Sequence, residues 1–241
     1  MVLAVRVDVD NPFGLSTRFR RLLNRISINY GFVPKLSKLG YLDNSIQLLH
    51  RLGQSGIQAT WFFRTVSAPT KALLPFFSDL QQSLGLHAER TNTFETFLGE
   101  IKIWEKRLGK RPAGFTKHGS GELKLSRMHD PSYIPEKLLD FGKRAGLRFF
   151  LGNDHQYLNP YSDHDDFIYA PSVFWLDRTS LYGKSFSIDS FIDDASSKPI
   201  IVLIHPVWFV QRKEVADFFE HLIDKCEFST IEDVLKAGLK Q

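Results

Sequence analysis

Strand-length apolar runs alternate with helix-length amphipathic ones along almost the whole chain, and that alternation decides the fold class. VLAVRVDV (2–9) is β-branched and as long as a strand; residues 42–56 place Ile46, Leu48, Leu49 and Leu52 near helical spacing and end on a glycine. A strand IQATWFF (57–63), a helix over 69–85 broken at Pro75 and a short strand LGLHAE (84–89) follow. Residues 93–110 gather Phe94, Phe97, Leu98, Ile101, Trp104 and Leu108 on one helical face. The series continues with strand AGFTKHG (113–119), helix 135–146, and strands 147–154 and 170–177. It ends with the apolar strand KPIIVLIHP (198–206), helix 211–226, and a short strand and last helix in 228–238, with Ser229 or Thr230 as N-cap. Strands and helices in this order predict an α/β domain with a parallel sheet. Seven or eight such units favour a distorted (β/α)7–8 barrel over an open sheet, as a single domain spanning 1–241. No internal repeat, linker or low-complexity segment interrupts it.

Composition narrows the classes. Hydrophobic residues make up 43% of the 241 residues and 21 are Phe, ample for an aromatic-rich core. The net charge of +4 is mild, and over the whole chain Lys and Arg are scattered rather than blocked. Nucleic-acid binding is therefore not argued, and an anionic substrate or an anionic membrane surface fits as well. One cysteine, Cys226, excludes an internal disulfide and reads as a packed thiol at a helix end. Arg6, Asp8 and Asp10 interrupt the first apolar run, which is no signal peptide, and no run reaches the ~18 apolar residues of a membrane span. The expected location is the cytoplasm; the oligomeric state is left open.

In parallel α/β folds the functional groups lie at the C-terminal ends of the strands. Those ends carry Asp8 and Asp10, then His87 with Glu89 and Arg90, then Lys117 and His118, then Asn153 and Asp154, and finally His205. Asp8 and Asp10 share a face, because a strand repeats every two residues. Two acids in an apolar setting require a cation beside them or a shared proton; solvated loop acids capping a helix are the plain alternative. A histidine ending one strand reads as structural. Several together with a carboxylate read as a divalent metal site, with the second carboxylate as general base toward an activated water.

These residues resemble the polysaccharide deacetylases, carbohydrate esterase family 4, along essentially the whole chain. RVDVDNP stands where that family has its acidic T-F-D-D-G-type segment; QATWFF (58–63) is similar to its K-A-T-F-F strand; IVLIHPVW (201–208) matches its strand ending L-x-H. The resemblance implies a distorted β/α barrel that removes N- or O-acetyl groups from sugars with a metal-activated water, Asp8 as general base, Asp10 as metal ligand and His205 as catalytic acid. The family's H-x-x-x-H is departed from: LHAERT (86–91) has His87, but Thr91 stands at the second histidine. FTKHGS (115–120) supplies His118 instead, so the implied ligands are Asp10, His87 and His118, with Zn²⁺ the ion their chemistry favours.

Further roles are read from the residues around this set; for 153–171 and 173–186 an ordinary surface crossover is the plain alternative. Arg90 would orient Asp8, and Asp154 would polarise a histidine, bind sugar hydroxyls or simply cap its loop. Residues 153–171 form a long polar, aromatic loop suited to stacking on sugars. Trp175, Arg178 and Tyr182 would line a pocket, with Arg178 meeting an anionic group of a lipid- or nucleotide-linked acetylated sugar. Two readings compete: a metal-dependent amidase acting on a non-acetyl substrate, and an inactive carbohydrate-binding or scaffolding descendant, which Thr91 favours.

Overall fold

The computed structural model describes residues 2–119, 124–183 and 186–239. In chain order the elements are β1 (Val2–Val9), α1 (Arg18–Tyr30), α2 (Asp43–Gln54), β2 (Thr60–Phe63), α3 (Leu74–Asp79), β3 (Ser83–Ala88), α4 (Phe94–Leu108) and β4 (Gly114–Lys117). There follow α5 (Pro135–Arg144), β5 (Phe149–Asp154), β6 (Ser162–Asp163), β7 (Ile168–Ser172), β8 (Phe174–Trp175), α6 (Ile188–Ser197) and β9 (Ile200–Ile204). α7 (Pro206–Gln211), α8 (Lys213–Lys225), β10 (Glu227–Ser229) and α9 (Ile231–Gly238) complete the chain, and 3₁₀ turns occupy Ser37–Leu39 and Leu176–Tyr182.

The strands form one sheet in the order β6-β7-β5-β4-β3-β2-β1-β9-β8, with β10 added beside β1. Every pairing is parallel except β6 on β7. The sheet curls into the distorted barrel that the alternation predicts. The sheet ends on β6 and β8; its seam is the stretch where β7, beside β6, runs into β8 with only Val173 between them.

Strand parity sorts the core into two layers. Leu3, Val5, Val7 and Val9 of β1 face the helices and join a cluster with Leu48, Leu49 and Leu52 of α2 and Phe97, Ile101 and Trp104 of α4. Each such burial contributes about 1.5–3 kcal/mol. Ala4 faces inward, into a second cluster with Phe62, Phe149, Leu151, Ile201 and Leu203, which Ile231, Val234 and Leu235 of α9 close. Arg6 and Asp8 have the parity of Ala4 and are buried above it.

Helix ends follow their local chemistry. Thr93 caps α4 through a reciprocal box with Thr96, and Thr230 caps α9 by accepting from Asp233 N–H, as the sequence predicts. Pro75 lies in the first turn of α3, where its missing N–H costs nothing; it starts that helix, and residues 69–73 lie outside it. The expected helix 211–226 is α8 alone, separated from α7 by the extended Arg212. The expected strand 170–177 is two strands meeting at Val173 and pairing with opposite neighbours, β5 and β9.

α1 and α6 carry no sequence expectation. α1 is capped by Thr17 and ends on Gly31 at φ 69°, and its buried residues are Asn24 and Ser27. A helix that turns polar groups inward lacks the inward apolar period by which helices are recognised. Asn24 takes the place of an apolar anchor by exchanging two hydrogen bonds with the backbone of Phe13, at 2.9 and 2.8 Å.

Candidate metal and catalytic site

The open end of the barrel is built from β1 outward. Arg6 is fully buried on the inner face and donates from Nε to Asp8 Oδ1 at 2.9 Å and from Nη2 to Asp8 Oδ2 at 2.5 Å. Across the barrel its Nη1 donates to Gly152 O at 2.6 Å, and Nη2 also reaches Asn153 Oδ1 at 2.8 Å. Gly152 is obligatory there, since a Cβ would lie 2.1 Å from Pro171 O. Burial pushes the Asp8 carboxyl up, but the Arg6 guanidinium, aided by His87 and His205, overcomes it and holds the group below the usual carboxylate range.

Asp10 lies one residue past β1, its side chain 30% exposed at the lip of the site. His87 Nε2 approaches its Oδ1 at 3.0 Å, His118 Nδ1 approaches the same oxygen at 3.1 Å, and the two imidazole nitrogens are 3.1 Å apart. One ligand atom from each of Asp10, His87 and His118 thus lies within 4.8 Å of the others. His87 Nδ1 is 2.5 Å from Thr116 Oγ1; with the proton on Nδ1, the lone pair on Nε2 points at Asp10. Burial, reinforced by Arg64, pushes His118 down to about 4 against the pull of Asp10, so it is neutral at pH 7. Two imidazoles and a carboxylate converging at this distance fit a divalent cation.

His205 closes the other side. It follows β9 directly and is the N-cap residue of α7. Its Nδ1–H donates to Asp177 Oδ2 at 2.6 Å, its backbone N–H reaches the same oxygen at 3.3 Å, and Nε2 faces Asp10 Oδ2 at 3.6 Å. Burial alone would lower the imidazole, but Asp177 first, then Asp10 and Asp8, raise it to about 9. It is a cation at neutral pH.

Buried polar groups hold the loops that carry these residues. Arg64 pairs with Glu89 at 2.7 Å and donates to Asp10 O at 2.9 Å, while Ser126 Oγ donates to Glu89. Glu100 of α4 accepts the backbone N–H groups of Glu89 and Arg90 at 2.9 and 3.0 Å. Thr91 is buried and donates to Asp130 Oδ2 at 3.1 Å, so at the family's second histidine position this chain ties down a loop. Lys117, also buried, donates to the carbonyls of His118 and Asp130.

A cleft of about 330 Å³ opens over the site. Besides Asp8, Asp10, His87, His118 and His205, its wall includes Trp175 and Arg178, the guanidinium lying 4.8 Å from the Trp175 ring. Three expected roles are met differently. The arginine on Asp8 is Arg6 and not Arg90, whose amide serves Glu100. The acid on His205 is Asp177, not Asp154. Asp154 accepts from Gln156 N–H and Asn159 Nδ2 within its own loop. Tyr182 stands behind the cleft wall, its hydroxyl accepting the Trp175 N–H at 2.6 Å within an aromatic cluster. Of the segment 115–120, Ser120 lies outside the described residues, as do Lys184 and Ser185 of 173–186. Arg6 and Asp177 are the residues that motif spacing alone does not single out. Arg6 shares strand parity with Asp8, which puts both on the inner face, but its other partners come from residues far along the chain.

The curled parallel sheet is similar in fold to solved structures described as polysaccharide deacetylases. A solved structure of a candidate polysaccharide deacetylase from Mycobacterium smegmatis is similar over 100% of this chain and 90% of its own, with a TM-score of 0.58 at 13% identity. The peptidoglycan deacetylase PdaC from Bacillus subtilis is similar over 98% of this chain and 90% of its own, with a TM-score of 0.50 at 12% identity. No protein-family model matches the chain, and no curated protein matches its sequence. The likeness is therefore one of fold, and the motif resemblance holds at that level.

Proposed function

We propose that the protein is a metal-dependent hydrolase that removes an N- or O-linked acetyl group from a sugar or glycan precursor. The observation that carries the reading is the convergence of Asp10, His87 and His118 on one point, flanked in the same cleft by an ionised Asp8 and a cationic His205. Asp10, His87 and His118 would hold the ion, with Zn²⁺ favoured by two nitrogens and one oxygen. When bound, the ion supplies Lewis acidity, which acidifies water and polarises a carbonyl oxygen.

The chain's own residues divide the proton work. Asp8 is the base that accepts the proton of the attacking water; the Arg6 clasp keeps it ionised and fixes its plane. His205, charged through Asp177, is the acid that protonates the leaving nitrogen or oxygen. Trp175 offers a face for a sugar ring, and Arg178 beside it offers a charge for an anionic substituent.

Metal content and acetate release test the reading together. The purified protein is expected to retain about one divalent ion per chain in a site of this donor set, to lose it as His118→Ala, and to release acetate from acetylated oligosaccharides. Asp8→Asn and His205→Ala are expected to keep the ion and lose the acetate. A wild-type protein without affinity for Zn²⁺ or related ions overturns the site. Bound metal with hydrolysis of a different amide overturns the acetyl assignment alone.

A further inference from the structure

α1 is built inside out. Its buried residues are Asn24 and Ser27, whereas Phe19, Leu22, Ile26 and Tyr30 are 56, 53, 36 and 74% exposed. Their spacing of three, four and four residues places them on one stripe of the helix. Arg18, Arg21 and Arg25 are exposed along one flank of that stripe, and Phe32, 68% exposed, extends it past the C-cap.

The local charge is one-signed. Residues 11–42 contain six Lys and Arg and no Asp or Glu, exceeding the +4 of the whole chain, although the cations look scattered when counted end to end. Arg20 is neutralised by Asp43 at 2.9 Å; the others on α1 have no acidic partner in their own segment. A second copy of this chain is disfavoured as the covering partner, because pairing α1 with itself would bring two sets of arginines together.

The stripe is continuous with the cleft. Asn29 of α1 accepts the Arg127 N–H at 3.2 Å, and that loop carries the exposed Leu125 and Met128, at 50 and 42%. Leu125 is itself part of the cleft wall. An apolar stripe flanked by arginines on a convex helix is the geometry of interfacial helices, whose apolar side enters the acyl boundary while cations meet headgroup phosphates.

We propose that α1, with Phe32 and the 125–128 loop, docks this protein on an anionic lipid bilayer, setting the mouth of the cleft against the membrane. The surface is independent of the hydrolase reading, and its test needs no activity.

Sedimentation with vesicles tests it. The whole protein is expected to co-sediment with phosphatidylglycerol-rich vesicles and not with pure phosphatidylcholine. Phe19→Gln with Leu22→Gln, both exposed positions given a good helix former, is expected to abolish binding while the unfolding transition stays in place. Arg18→Gln with Arg25→Gln is expected to weaken binding about 25-fold, at about fivefold per cation. The second pair serves if the first does not fold. Failure to bind anionic vesicles at low salt overturns the proposal. So does binding unchanged in Phe19→Gln/Leu22→Gln, or in Arg18→Gln/Arg25→Gln if the first pair does not fold. A lipid-free dimer that these substitutions dissociate also overturns it and assigns the face to a second copy.

Discussion

Arg6 and Asp8 lie two residues apart on one strand, and the guanidinium of the first clasps both oxygens of the second inside the barrel. The pair is completed by Gly152 and Asn153 from the far wall, so a carboxylate and its orienting cation come from a single strand while their geometry depends on the opposite side of the curled sheet. Arg6→Met is expected to destabilise the fold by about 3–5 kcal/mol, because it strands a buried carboxylate. Adding Asp8→Asn should recover much of the loss. Chemical denaturation measures both; an Arg6→Met protein within about 1 kcal/mol of wild type contradicts the buried-pair account.

His205 owes its charge to Asp177. A raised histidine is a cation below its folded pKa and loses the proton as pH rises through it, here near 9. Hydrolysis that uses it as acid is therefore expected to persist through neutral pH and fall on the alkaline side. In Asp177→Asn the alkaline limb should move down toward the ordinary value of about 6.5, with rate at pH 6 less affected than at pH 8. A pH–rate profile with an unmoved alkaline limb would separate Asp177 from the proton.

Thr116 Oγ1 holds the His87 ring through a 2.5 Å contact at Nδ1. Thr116→Val keeps the β-branched shape that β4 requires and removes the oxygen. Loss of such a partner typically weakens metal binding about 10–100-fold. Competition against a chromogenic chelator reads the change; undiminished affinity would mean the imidazole is held by packing alone.

Glu100 is buried, and burial pushes its carboxyl up to about 7 despite two backbone donors. An acid whose folded pKa exceeds its unfolded value near 4.5 binds more protons in the native state between the two. The contribution of this group is then fully present below 4.5 and falls as pH rises to about 7, by about 3 kcal/mol in all. Glu100→Gln keeps an acceptor for the Glu89 and Arg90 amides and should flatten that fall, leaving the variant similar to wild type at pH 4.5 and more stable at pH 8. Thermal unfolding across this range decides it: parallel curves would show that Glu100 does not titrate there.

The strands and the groups at their ends were legible because each is a local pattern. Asp10, His87, His118 and His205 each terminate or directly follow an apolar run, and parallel topology brings such ends together. What escaped is what only closure creates. Arg6 reads as a charge interrupting an apolar stretch until Gly152, 146 residues away, meets it. Asp177 sits in a 3₁₀ turn with no period of its own, and Asp154, more prominent at its strand end, turns back into its own loop. α1 was illegible for the opposite reason: its apolar stripe is present, but it faces away from the core.

The seam at Val173 gives the barrel a property that a fully laddered ring lacks. Val173 N–H is tied to Asp154 O at 2.8 Å, β7 pairs with β5 on one side of the sheet, β8 pairs with β9 on the other, and the same backbone runs on into Asp177. A one-residue slip of this stretch would turn every side chain along it to the opposite face. The register of the seam therefore works as a gauge: the protein seats Asp177 against His205 only with this stretch in its one correct alignment.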